Sequence, residues 1–247
     1  MMKINTYLDS TYLKTPAQSG LTEEQTLKTV MALADEADAQ NIFAVMIRPD
    51  YVKEVKNHLQ QLKSGVKVGT VIGFHEGNYS PDEKLSEAEQ AINDGADELD
   101  FVINYEAYKK GDYQVVEKEV FECTKLCLDH GKTAKWIIEI AALTDMQIAD
   151  LTKRISTWVE EKFPGQEDKV FVKSSTGFYK TENGKPNGAT PEGIKIMKAN
   201  SGKLPVKAAG GVRSHDEAVQ MINLGVTRIG TSSASALLKG DEASSGY

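Results

Sequence analysis

The 247-residue chain has only two cysteines, Cys123 and Cys127. They lie four residues apart in a predicted helix, so they share a face, and nothing nearby completes a zinc site. They read as reduced core thiols. The four histidines make no metal pattern: His58 and His130 fall on predicted helices, and His215 sits beside a cap. His75 follows the third apolar run, where it could reach a pocket or stay passive. No hydrophobic run is long enough to span a membrane, and MMKINTYLDS at the start has no apolar signal core. A soluble, cytoplasmic protein is therefore expected. No GxGxxG follows the first predicted strand, which removes the dinucleotide fingerprint. With a net charge of −7, a general nucleic-acid-binding surface is not expected, although a local cationic pocket remains open.

What is present is an alternation. Short β-rich runs occur at about Asn5–Asp9, Ile42–Ile47, Val66–Phe74, Glu98–Ile103, Ala134–Ile140, Val170–Ser174, Pro205–Ala208 and Arg228–Gly230. Helical stretches separate them, and their ends are legible. Thr22 with Gln25, Thr144 with Gln147 and Ser214 with Glu217 read as capping boxes. Ser80-Pro81 and Thr190-Pro191 place a cap before a proline at the first helical position. Gly95, Gly131 and Gly225 fall just past helix ends, where a left-handed residue is needed. Strands alternating with helices imply a parallel sheet covered by helices. About eight such units in this length favour an α/β fold consisting of a single closed (β/α)8 barrel. In such a barrel the active site forms at the C-terminal ends of the strands, so polar groups at the ends of apolar runs become the candidates.

The segment VFVKSSTGF supplies the first. Lys173 closes the apolar run Val170, Phe171, Val172, and lysine is rarely buried. It either snorkels to water, pairs with a carboxylate or is buried for its chemistry. Lys207, in LPVKAAGGVR, has the same setting. If the two strands are neighbours, each ammonium disfavours the other's charge and apolar walls disfavour both. A free lysine titrates at roughly 10.4; lowering that value releases a neutral amine that can form a Schiff base with a carbonyl. The alternative is that each lysine pairs with an acid and caps its strand. In DELDFVI, Asp100 shares a face with Glu98 and Val102, and Lys135 in AKWIIEI sits similarly. Asp100 could relay protons with Lys135 holding it ionised, or the two could be an ion pair lining the barrel. Asp9 in TYLDST is either a third polar barrel residue or a turn residue.

Small residues follow the last three strands: Gly177, then Gly210 and Gly211, then Gly230 with Ser232 and Ser233. Barrels often bind phosphate at the loops after strands seven and eight, where glycine allows close approach and serine adds donors.

These segments together resemble the deoxyribose-phosphate aldolases, Schiff-base aldolases on a TIM barrel. The likeness runs in order through YLDST, GADELDFVIN, KWIIE, FVKSSTGF, VKAAGGVR and RIGTSS, nearly the whole chain. The resemblance implies reversible cleavage of 2-deoxyribose 5-phosphate to acetaldehyde and glyceraldehyde 3-phosphate, with no cofactor and no metal. By the same resemblance Lys173 forms the Schiff base, Lys207 lowers its pKa, Asp100 relays protons, and Lys135 and Asp9 support that relay. Gly177, Gly210, Gly211, Gly230, Ser232 and Ser233 match the phosphate-contacting loops. Tyr247, the last residue, matches a tyrosine that in some members folds over the site and assists proton transfer; a tail from about residue 240 without fixed structure is the alternative. The implied partners are small phosphorylated sugars and aldehydes, not nucleic acid or membrane, and a homodimer is compatible with the family. Two departures stand out: Met46 occupies a position where some members have cysteine, and His75 one that is often proline. The polar insertion Lys180–Gly188 lengthens the loop after strand six and could cover the phosphate or affect assembly. Two other classes fit a barrel of this kind: another phosphosugar enzyme (transaldolase-like or isomerase), or a non-catalytic sugar-phosphate sensor.

Overall fold

A computed structural model describes residues 3–182 and 184–240. Its strands are β1 (Leu8–Tyr12), β2 (Ala44–Ile47), β3 (Lys67–Ile72), β4 (Glu98–Val102), β5 (Thr133–Ile137), β6 (Val170–Lys173), β7 (Val206–Ala209) and β8 (Arg228–Thr231). They pair in parallel in chain order, and β8 pairs with β1 to close the barrel. The helices are α1 (Pro16–Ser19), α2 (Glu23–Ala39), α3 (Val52–Gln61), α4 (Pro81–Asn93), α5 (Tyr105–Lys109), α6 (Tyr113–Asp129), α7 (Asp145–Lys162), α8 (Pro191–Asn200), α9 (His215–Asn223) and α10 (Ala234–Lys239). No helix among the described residues is long and apolar enough to cross a membrane.

The helix ends follow the sequence signals. Reciprocal capping boxes form at Thr22, Ser80, Thr144 and Ser214, each satisfying two backbone donors that the first turn would otherwise leave open. The first strand does not follow them. Ile4–Tyr7 form a 3-10 turn, so β1 begins at Leu8 rather than Asn5. The Asn5 amide explains the shift: it donates to the carbonyls of Gln40 (3.3 Å) and Asn41 (3.0 Å), tying the turn to the end of α2. The fifth strand also ends early, at Ile137, because Glu139 takes a left-handed φ of 55° and a 3-10 turn follows.

The strand residues that face outward, among them Leu99, Phe101, Ala134 and Trp136, are buried against the helices. Phe101 stacks on Trp136 with centroids 4.9 Å apart, and the Trp136 indole N–H donates to Thr124 on α6 at 3.0 Å. Burying side chains of this size contributes on the order of 1.5–3 kcal/mol each. Cys123 and Cys127 belong to the same layer; both thiols are buried and unbridged, and burial pushes both pKa values up. A fully buried ion pair lies in this outer shell. Lys84 on α4 donates to Glu119 on α6 and, at 2.8 Å, to the Val102 carbonyl. Glu119 in turn accepts the Asn104 N–H at 2.7 Å, so every partner is satisfied locally.

Candidate active site

Strand register places the charged residues. Parallel pairing sets Lys207 beside Lys173 on one side and beside Arg228 on the other, and sets Lys135 beside Asp100. Residues in register point the same way, so all five side chains enter the barrel. Asp100 is their hub. Its Oδ2 accepts from Lys173 Nζ and from Lys207 Nζ, both at 2.8 Å, and its Oδ1 accepts from Lys135 Nζ at 2.8 Å. Lys135 also donates to Glu98 at 2.7 Å.

Below this level Arg228 joins β8 to β1 and β4. Its guanidinium donates to Asp9 Oδ1 through Nε (2.9 Å) and forks onto both oxygens of Glu98 (3.0 and 2.9 Å). Phe43 covers it from below, 3.7 Å from ring centroid to Cζ. Asp9 Oδ2 lies 2.5 Å from Lys207 Nζ, an ion-pair contact at an angle outside hydrogen-bond geometry. Asp9 is thus a polar barrel residue rather than a turn residue, set near the beginning of β1 and not at its C-terminal end.

The array comprises three carboxylates (Asp9, Glu98, Asp100) and four bases (Lys135, Lys173, Lys207, Arg228), all buried. Buried charge is tolerated when it is paired, and one base here has no carboxylate of its own. The imbalance vanishes if one amine is neutral. Lys173 is the group the electrostatics single out: burial, opposed by Asp100 and reinforced by Lys207, lowers its pKa to about 8. Lys135 goes the other way, because Asp100 and Glu98 outweigh its burial and raise it. Burial alone would raise Asp100, but Lys135, Lys173 and Lys207 hold it well below the usual carboxylate range. Asp9 is likewise brought to about 2 by Arg228 and Lys207 against its burial.

The glycines and serines named from the sequence line one cavity at the ends of the last three strands: Gly177, Gly210, Gly211, Gly230, Ser232 and Ser233. Gly177, Gly210 and Gly211 have φ of 81°, 72° and 77°, where a side chain would be strained. Gly230 is there for a different reason. Its φ is not positive; a Cβ at Gly230 would come within 3.2 Å of Lys207 Cε, so the glycine makes room for the lysine. Asn187, Val212, Arg213 and Thr231 complete the lining. The insertion after β6 returns across this cavity: Asn187 donates to the Gly177 carbonyl at 2.9 Å, and a Cβ at Gly188 would meet the Gly210 carbonyl carbon at 2.4 Å. A cavity lined mainly by glycine and hydroxyl residues, with Arg213 among them, suits a small anion.

At the mouth, His75 stacks on Phe178 (centroids 5.7 Å) and Phe74 meets the same ring edge-on at 5.0 Å. Met46 lies on the inward row of β2 beside Gly69, where its sulfur occupies the space a Cβ at Gly69 would need. Tyr247 lies outside the described residues. Sequence reasoning assigned no role to Arg228, Glu98, Glu139 or Asn187. The unusual arginine opening a β8 run was a usable signal for the first; the others depend on contacts across the barrel.

A parallel eight-stranded barrel with a buried lysine of lowered pKa at the end of β6 and a glycine-lined cavity after the last strands has the form of an enzyme site suited to an amine nucleophile. Residues 7–239 match the family model described as DeoC/LacD family aldolase. The chain belongs to the DeoC/LacD family of aldolases. It is 39% identical over 240 residues to the deoxyribose-phosphate aldolase of Thermococcus gammatolerans, covering 97% of this chain and 96% of that one. Against the deoxyribose-phosphate aldolase of Streptococcus gordonii it is 38% identical over the full length of both chains. Among solved structures it is similar to the tetrameric deoxyribose phosphate aldolase of Aeropyrum pernix, with a TM-score of 0.77, 27% identity, and coverage of 96% of this chain and 89% of that one.

Proposed function

We propose that the protein reversibly cleaves 2-deoxy-D-ribose 5-phosphate to acetaldehyde and D-glyceraldehyde 3-phosphate through a Schiff base on Lys173, acting as a single catalytic domain. The neutral Lys173 amine adds to the C1 carbonyl of the open-chain sugar, and loss of water gives an iminium. The iminium draws the C2–C3 bonding pair toward nitrogen as the C3 hydroxyl loses its proton. That bond breaks, C3 becomes the aldehyde of glyceraldehyde 3-phosphate, and the two-carbon fragment remains as an enamine. Protonation at C2 and hydrolysis release acetaldehyde and restore the amine.

The site supplies each need from this chain's own residues. Lys207, charged and hydrogen-bonded to the same Asp100 oxygen as Lys173, disfavours a second positive charge and keeps the nucleophile neutral. Asp100 is too weak a base to keep a proton while its lysine neighbours donate to it. When Lys173 becomes an iminium it retains one N–H, and the freed Oδ2 capacity passes a proton through water. Lys135 and Asp9 hold Asp100 and Lys207 in place. Gly177, Gly210, Gly211, Gly230, Ser232 and Ser233 receive the phosphate, so that binding remote from the reacting carbons fixes their position. Tyr247 is assigned an assisting role in proton transfer at C2; its removal should slow proton exchange on acetaldehyde.

The observation that carries this reading is the buried array with one base more than its carboxylates, in which Lys173 is the base whose pKa is lowered. The test is borohydride reduction in the presence of acetaldehyde followed by peptide mapping. A stable ethyl adduct on the peptide holding Lys173 is expected; no adduct, or one on Lys207, refutes it. The assembly we propose is a homodimer in the cytoplasm, supported by the exposed apolar side chains Tyr113 and Phe121 on α6 and checked by sedimentation equilibrium and cell fractionation.

A further inference from the structure

Glu139 takes no part in the steps above, yet it is among the most constrained residues near them. It is fully buried and holds a left-handed φ of 55°, an arrangement costly for a residue with a Cβ. Both of its flanking amides are tied to β6 and the residue after it: Ile138 N–H donates to the Lys173 carbonyl (3.0 Å) and Ile140 N–H to the Ser174 carbonyl (2.9 Å). Its side chain turns to the loop that follows. Oε2 accepts the Thr176 N–H at 3.1 Å and also the Thr176 hydroxyl. The Thr176 Oγ1 in turn accepts the Phe178 N–H at 3.0 Å. A single carboxylate therefore organises both residues that flank Gly177, and Gly177 is a wall of the glycine-lined cavity. Oε1 is buried without a hydrogen-bond partner among the described residues, so the group is held here by the loop alone.

We propose that Glu139 is a positioning residue for the phosphate end of the substrate: its carboxylate sets the Thr176–Phe178 turn so that Gly177 presents its backbone to the anion. This inference rests on the reading of the cavity as the phosphate site. A buried carboxylate close to an anion pocket is repulsive unless it has work as an acceptor, and two donors from one loop residue provide that work. Lys173 on β6 and Tyr105 on α5 are the titratable groups that face it. Burial, opposed by the Thr176 bonds and by Lys173, moves its pKa up to about 7, which fits a carboxylate kept for its contacts and not for a permanent charge.

The test compares a phosphorylated with an unphosphorylated substrate. Glu139→Ala is expected to raise KM for 2-deoxyribose 5-phosphate about ten-fold or more, with kcat much less affected, and to leave kcat/KM for 2-deoxyribose within about two-fold. Inhibition by inorganic phosphate should weaken in parallel. Glu139→Gln, whose amide oxygen can accept the same two bonds, should recover most of the loss. Thr176→Val should reproduce part of it, and it carries the test if Glu139→Ala does not fold. Equal losses on both substrates, or an unchanged KM and phosphate inhibition in Thr176→Val, would overturn the proposal. Borohydride trapping separates this from the larger reading. An untrapped wild type would remove the Schiff base; trapping in wild type and variant without the KM split would remove only the role of Glu139.

Discussion

Two sets of buried ion pairs lie in this chain and do different things. Lys84 and Glu119, between α4 and α6, are one cation and one anion, with the Val102 carbonyl and the Asn104 amide using up what remains. The barrel array has four bases for three carboxylates and makes Asp100 Oδ2 serve two lysines. Both are equally out of water. Burial by itself therefore does not mark a reactive lysine. A closed pair is structural, because removing the charge of either member would strand the other. An array with a surplus base is relieved when one amine sheds its proton, and that is the state a nucleophile needs.

Matched substitutions should break the comparison at its widest point. Lys173→Met is expected to lower kcat at least ~1,000-fold and abolish the borohydride adduct. Lys84→Met strands Glu119 and should cost roughly 3–5 kcal/mol of stability, read from denaturant unfolding, while leaving the pH profile of the surviving activity in place. If the two results were exchanged, the distinction between the arrays would collapse.

The next effect is on pH. Lys173 becomes neutral as pH rises through about 8, so kcat/KM should climb along that limb. Lys207→Leu removes a positive neighbour and leaves Asp100 with one donor fewer, and both changes favour the protonated amine. The limb should move toward the ordinary lysine value, and a pH–rate profile with an unmoved limb would contradict the role given to Lys207.

Stability should carry the same signature with a smaller amplitude. The folded pKa of Lys173 lies below its unfolded value near 10.5, so the folded state binds fewer protons between about 8 and 10.5. Stability then rises with pH across that window, by at most roughly 3 kcal/mol from this group. Lys173→Met should flatten that rise in pH-dependent unfolding. Glu139 contributes with the opposite sign at lower pH: its folded pKa of about 7 exceeds the unfolded 4.5, so stability falls as pH climbs between those values. The smallest expected effect is Thr144→Ala, which removes one capping box at the start of α7; about 1 kcal/mol should be lost with catalysis untouched.

Much of this arrangement was readable in advance because it is local. A capping box is written within four residues, and all three named in the sequence form. Lys173 and Lys207 announce themselves as charges interrupting apolar runs, and their strands do lie side by side. The start of β1 is not written locally, because Asn5 spends its amide on the end of α2, more than thirty residues away. Gly230 lines the cavity the sequence points to, but what crowds a side chain there is Lys207 from the neighbouring strand, a contact the sequence does not show.

By itself the sequence determined the order of strands and helices, the ends of most helices, and which lysines interrupt the buried strands, since periodicity, caps and polar breaks are short-range properties of the chain. Only the tertiary structure decided that one Asp100 oxygen serves two lysines, that Arg228 clamps Glu98 from 130 residues away, and that Glu139 organises the turn at Gly177. Those contacts exist because the sheet closes, and closure brings together side chains whose separation along the chain carries no information about their distance in space.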